Sequence, residues 1–192
     1  MNRHELAAAI FHASYLTGEF TLRSGVVSLE YFDKYAFESD PLLLREIGIA
    51  LSALVPAESH ALAGLELGGI PIATMLAQVT GLPALFVRKA AKPYGTARLA
   101  EGGAVAGRRL LLVEDVVTSG GQIIDSARQL RALGTVVSDA VCVIDRESGG
   151  ASNLGAEGIA LHALFTMSEL KQSAAQGARM DVPSNRARSS AG

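Results

Sequence analysis

Apolar positions recur along the chain with two periods, and the change of period divides it into helices and strands. From His4 to Tyr15, Leu6, Ala9, Ile10 and Ala13 fall at helical spacing, which predicts a helix with one apolar stripe. Asp40 followed by Pro41 pairs an N-cap residue with a ring whose fixed φ suits the first turn, and predicts a second helix running to about Leu54. Between the two, from Phe20 to Phe37, aromatic and polar residues mix around Ser24-Gly25, the texture of two short strands joined by a glycine turn. This segment is expected to form a small hood.

From His60 onward strands and helices alternate. Strands are expected near Ala61–Leu65, Ala84–Val87, Arg109–Val113 and Val136–Ile144, with helices from about Ile70 to Val79 and Gln122 to Leu133. That alternation predicts an α/β fold with a parallel sheet covered by helices on both faces. The near-continuous apolar run of Val136–Ile144 suits a strand buried on both sides. A last helix is expected near Met167–Gln176, and Ala178–Gly192 has no periodicity and is expected to fray. The expectation is one domain, with a hood over about 1–38, a core over about 39–177 and a tail over 178–192.

Composition removes several classes of function. A chain of 192 residues, 49% hydrophobic and 19% charged, suits one domain with a sizeable core. Lys and Arg number 17 against 19 Asp and Glu, a net charge of −2, so no global basic field draws in nucleic acid or an anionic membrane. Trp is absent and aromatics make up 5%, which disfavours base-stacking surfaces. Cys142 is the one cysteine, so there is no internal disulfide, and its place in an apolar strand suits a small core residue. No run approaches a membrane span, and Met1 to Tyr15 carries Arg3, His4 and Glu5 where a leader would be apolar; a cytoplasmic protein is expected. His4, His12, His60 and His162 lack ligand spacing and read as ordinary residues.

The strongest chemical signal is the run from Leu110 to Gln122. It places an apolar strand, the acids Glu114 and Asp115, and the turn Val116-Val117-Thr118-Ser119-Gly120-Gly121 directly ahead of a helix. Successive amides in such a turn, with the positive end of the helix, make an anion cradle, and glycine lets a phosphate approach the backbone. Two acids at the carboxyl end of a buried strand lie where open α/β sheets bind ligands, and their oxygens suit vicinal ribose hydroxyls. No Gly-Lys-Ser/Thr ends the turn and no G-x-G-x-x-G is present, so neither a Walker loop nor a dinucleotide fingerprint applies.

Three further segments carry charge or turn signals. Between Leu85 and Ala100 stand Arg88, Lys89, Lys92 and Arg98 with no acid, in a Gly- and Ala-rich setting that reads as a cationic lid, able to neutralise a pyrophosphate on closing. Glu66-Leu67-Gly68-Gly69-Ile70-Pro71 joins a strand to a helix, as a simple turn or a phosphate-contacting one. Arg146 follows the apolar strand, either as the bidentate partner of a substrate carboxylate or in an ion pair with Asp145 or Glu147.

The thirteen residues Leu110 to Gln122 resemble the phosphoribosyl pyrophosphate (PRPP) motif of type I phosphoribosyltransferases. The resemblance extends over nearly the whole chain to the orotate phosphoribosyltransferase family. Its hood pattern is matched by Arg23-Ser24-Gly25, Ser28, Tyr31, Phe32 and Asp33, its basic stretch by Arg88-Lys89-Ala90-Ala91-Lys92-Pro93-Tyr94-Gly95, and its Asp-Arg by Asp145-Arg146. The resemblance implies a Rossmann-like parallel-sheet core and transfer of the phosphoribosyl group from PRPP to orotate in pyrimidine biosynthesis, with Mg²⁺ held mainly by PRPP and water. It implies a homodimer in which Arg88, Lys89, Lys92 and Tyr94 reach the pyrophosphate across the interface, with Lys92 closing over the leaving group. Glu114 and Asp115 would hold the ribose beside the developing positive charge, Thr118, Ser119, Gly120, Gly121 and Gln122 the 5′-phosphate, with Val116 and Val117 also in the PRPP site, and Arg23, Tyr31, Phe32, Thr118 and Arg146 the orotate. Four positions depart from the pattern: Gly68 and Arg23 stand where lysine is usual, Leu29 where proline is, and Tyr94 where many members have histidine. A transferase for a purine base would share the motif but have no need of Arg146 and the hood, and a PRPP-sensing regulator would keep the cradle yet could lose the lid.

Overall fold

In a computed structural model, which describes residues 1–21, 25–90 and 99–180, the chain folds as α1 (Arg3–Ser14), β1 (Tyr15–Thr21), β2 (Val27–Phe32), α2 (Lys34–Ser39), α3 (Pro41–Ser52), β3 (Ala61–Leu65), α4 (Gly69–Thr80), β4 (Ala84–Val87), β5 (Ala100–Glu101), β6 (Arg109–Val117), α5 (Gly121–Ala132), β7 (Val136–Asp145), α6 (Gly150–Ala156), β8 (Ala160–Thr166) and α7 (Met167–Met180). Six strands form one sheet in the order β5-β4-β3-β6-β7-β8, parallel except for β5, which pairs antiparallel with β4. The α/β reading therefore holds, with one short antiparallel edge. β1 and β2 form a separate antiparallel ribbon that pairs Tyr15 with Phe32; its first strand starts at Tyr15, five residues ahead of the segment in which strands were expected, directly where α1 ends.

Local chemistry sets the helix starts. Asn2 caps α1 by accepting from the Glu5 amide at 2.9 Å while the Glu5 carboxylate accepts from the Asn2 amide at 2.9 Å, a reciprocal capping box. Asp40 accepts from Leu42 and Leu43 at the head of α3, as the Asp-Pro pair predicts. Apolar side chains then build a core on each face of the sheet. On one face Leu6, Ile10, Ile47, Ile72 and Leu76 pack with Leu111, Val113 and Val141; on the other Ile123, Ala127, Leu130 and Leu154 pack with Leu110, Leu112 and Cys142. Helix α1 lies against α7 and shares the first of these cores, whereas the β1–β2 ribbon contributes mostly exposed residues.

Four elements were not anticipated. α2 begins two residues after the end of β2, with Asp33 between them as its cap, and so hides inside the hood segment. α6, of sequence Gly-Ala-Ser-Asn-Leu-Gly-Ala, has a single large apolar residue and hence no readable stripe. β8 is a sheet edge with mixed burial, and β5 is two residues long. β6 also runs to Val117 instead of ending at Val113, because the acids and Val116 continue the ladder: Glu114 pairs with Cys142 and Val117 with Asp145.

Candidate functional site

The carboxyl end of β6 and the turn into α5 form the first part of the site. Glu114, Val116, Val117, Thr118, Ser119, Gly120, Gly121 and Gln122 line a cavity of about 370 Å³ together with Lys34 and Ile123. Gly120 takes φ +78°, a left-handed conformation that favours glycine, and brings the chain into the first turn of α5. The turn is braced from both sides. The Asn153 side chain donates to the Ser119 carbonyl at 3.0 Å, and the Gln122 side chain donates to the Glu66 carbonyl at 2.8 Å, so the cradle is tied to the neighbouring loop. Gly69, at the start of α4, lies against the Val113 carbonyl, and Gly68 faces the Asp115 carboxylate and Glu38.

The acids are buried, not solvated. Asp115 is fully covered and Glu114 is 6% exposed. Asp115 Oδ1 accepts from the Val116 amide at 2.5 Å, and Oδ2 pairs with Lys34 Nζ at 2.6 Å. A third carboxyl, Glu38 of α2, is buried beside Asp115. Burial and the neighbouring Asp115 push both Glu38 and Glu114 up to about 9, so each is protonated at neutral pH. Burial opposes the charge on Asp115 too, but contacts with Glu114, Lys34 and Glu38 outweigh it and hold this carboxyl below its ordinary range. Burial likewise works against Lys34, and Asp115 more than offsets it. The adjacent acids thus carry one negative charge between them, already matched by one ammonium, where the sequence suggested two. Glu114 lines the cavity, and its Oε2 is buried with no hydrogen-bond partner among the described residues.

A second cavity, of about 210 Å³, lies under the hood. Tyr31, Phe32 and Arg146 line it, as do Tyr15, Ser28, Glu30, Met167 and Lys171. Arg146 sits at the end of β7, its amide donating to the Val117 carbonyl at 2.9 Å. Both neighbouring acids are engaged elsewhere: Asp145 accepts from the Glu147 amide and Glu147 from the Ser168 amide, each at 2.9 Å. Among the described residues Arg146 makes no ion pair, which leaves its guanidinium to the cavity. Thr118 lines the first cavity and is not among the residues lining this one.

Arg88 and Lys89 stand away from both cavities. Arg88 Nε lies 3.6 Å from Glu101 Oε1 across the β4–β5 pair, and the Lys89 amide donates to Glu66 Oε2 at 3.2 Å. Arg23, Lys92, Tyr94 and Arg98 lie outside the described residues. Lys34, Glu38, Tyr15 and Lys171 were not singled out from the sequence. Lys34 directly follows the aromatic-Asp run of the hood, the one signal that could have drawn notice; Glu38 has none. The histidines behave as ordinary residues, His162 pairing with Asp139 at 2.9 Å and His60 accepting from the Arg109 amide at 3.1 Å. Burial drives the Cys142 thiol far above its usual range, which makes it a core residue and no nucleophile. No group of three or more His, Cys, Asp and Glu among the described residues is arranged to hold a metal, and no helix there is long and apolar enough to cross a membrane.

No protein-family model matches the chain. It is 51% identical over 173 residues to an orotate phosphoribosyltransferase of a Nocardioides species, covering 90% of this chain and 97% of that one. Among solved structures it is similar to Mycobacterium tuberculosis orotate phosphoribosyltransferase in complex with Fe(III) dicitrate, with a TM-score of 0.81 and 31% identity over 88% of this chain and 99% of that one. The same enzyme in complex with PRPP gives a TM-score of 0.77 and 28% identity over 89% and 99% of the two chains.

Proposed function

The chain belongs to the orotate phosphoribosyltransferase family and transfers the 5-phosphoribosyl group of PRPP to orotate in pyrimidine synthesis; from that premise we propose that the cradle after β6 holds PRPP and the hood cavity holds orotate. The observation that carries this reading is the orphaned Glu114 Oε2, buried at the wall of an amide-lined cavity where a sugar hydroxyl would satisfy it.

The 5′-phosphate lies on the amides from Val117 to Gln122 and the N-terminus of α5, where the helix adds positive potential. Glu114 and Asp115 take the ribose hydroxyls. Protonated Glu114 donates or accepts, while ionised Asp115 accepts and lies near the anomeric carbon as positive charge develops there. Orotate stacks on Tyr31 and Phe32, with its carboxylate on Arg146. Arg88, Lys89, Lys92 and Tyr94 act on the diphosphate of the partner subunit in a homodimer. The protein thereby positions two reactants and stabilises charge with no nucleophile of its own.

Among the described residues no cluster of acids is arranged as a metal cage, and Asp115 is paired with Lys34. The acids fit instead a Mg²⁺ that arrives on PRPP, held by the substrate's own oxygens and water, where it would supply Lewis-acid stabilisation of the departing diphosphate. PRPP and the product nucleotide are highly charged and do not cross membranes, which supports a cytoplasmic enzyme.

The test is the loss of orotate absorbance on mixing the protein with PRPP and Mg²⁺. Turnover of orotate with release of pyrophosphate is expected; turnover of hypoxanthine or adenine with none of orotate overturns the reading.

A further inference from the structure

Among the described residues, Lys34 is the only cation that lines the phosphate cavity. It stands second after β2, in the first turn of α2, with its side chain 35% exposed and its Nζ 2.6 Å from Asp115 Oδ2. The loop opposite, Glu66 to Gly69, brings no positive side chain to this point, and it has no room for one: a Cβ on Gly68 would fall on the Asp115 carboxylate and close to Glu38. The ammonium of Lys34 therefore occupies the place between the cradle and the Gly68 loop where the anionic end of a bound sugar phosphate would need a counter-charge.

The pairing with Asp115 is also an arrangement that a ligand can exchange. Asp115 Oδ1 is fixed by the Val116 amide, whereas Oδ2 meets Lys34 alone among basic groups. The four-carbon stem of Lys34 is partly exposed, so the ammonium can turn from Asp115 into the cavity that it lines. We infer that Lys34 is a PRPP-binding residue of this chain, resting on Asp115 and turning to the diphosphate when that group binds. The inference builds on the placement of PRPP in the cradle.

Titration calorimetry with Mg²⁺-pyrophosphate and, separately, with ribose 5-phosphate tests it on the wild type, Lys34→Gln and Lys34→Arg. Lys34→Gln is expected to bind pyrophosphate about tenfold more weakly and to raise KM for PRPP by a similar factor, as loss of a charge-assisted contact does. Its ribose 5-phosphate affinity and KM for orotate should stay within about twofold of wild type, and Lys34→Arg should recover most of the pyrophosphate affinity. Unchanged pyrophosphate binding in Lys34→Gln overturns the inference. So does an equal loss for both ligands and orotate, which would make Lys34 a brace for Asp115, and so does a failure of Lys34→Arg to recover binding. If wild type binds no ribose 5-phosphate at all, it is the placement of PRPP in the cradle that fails.

Discussion

Gln122 Nε2 donates to the main-chain carbonyl of Glu66 at 2.8 Å, joining the turn after β6 to the loop after β3 across 56 residues of sequence. Two segments that face the same ligand are thus held at a fixed separation. Replacing Gln122 by Leu removes the bond while keeping the volume, and a net contribution of about 1 kcal/mol corresponds to a roughly fivefold higher KM for PRPP. Little change in melting temperature should accompany it, because Gln122 is exposed. Steady-state kinetics against PRPP would show the effect, and an unaltered KM would make the bond incidental.

Arg146 is free of its acidic neighbours and turned to the hood cavity. Arg146→Ala should raise KM for orotate by roughly 10- to 100-fold, the range for one lost charged hydrogen-bonding partner, and leave KM for PRPP within about twofold. Equal effects on both constants would place the residue outside the orotate subsite.

Glu38 makes stability depend on pH in a defined direction. Its folded pKa, about 9, lies above the ordinary 4.5, so across that interval the unfolded chain has released a proton that the folded chain still holds. Stability accordingly falls as pH rises from about 4.5 to about 9, with no contribution from this group below that window. Glu38→Gln keeps a donor toward Asp115 but cannot ionise. Its melting temperature relative to wild type should climb between pH 5 and pH 9 in differential scanning fluorimetry; a constant difference would mean that Glu38 is ionised in the folded protein.

Gly69 is packed where no side chain fits. A Cβ there would press on the Val113 carbonyl, a backbone atom in the middle of β6 that cannot move aside. Gly69→Ala should cost about 1–3 kcal/mol by overpacking, read as a lower denaturation midpoint, and should slow turnover because the displaced strand carries Glu114. A variant as stable as wild type would show that α4 can slide away from the sheet.

The parts legible from the sequence were those in which a local pattern decides the structure. Apolar runs gave β3, β4 and β7, Asp40-Pro41 gave the start of α3, and the order of acids, hydroxyls and glycines after β6 gave the cradle. What stayed hidden depends on contacts between distant residues. Nothing local to Glu114 reveals that it is protonated, since that follows from burial and from Asp115. Nothing local to Glu38 reveals that α2 turns it toward β6. The pairing of Lys34 with Asp115 spans 81 positions and exists only once the hood has folded onto the sheet.

The two-residue strand β5 has a consequence for the basic stretch that precedes it. The Arg88 amide donates to the Leu99 carbonyl at 2.9 Å, and the Arg88 side chain meets Glu101, so the two flanks of this stretch are pinned to each other at the sheet edge. The entropic cost of holding two such flanks together grows only logarithmically with the length of flexible chain between them, about 0.6 kcal/mol for each doubling. Residues could be inserted or removed between these anchors with little penalty to the sheet, which makes the reach of this stretch adjustable independently of the stability of the fold that carries it.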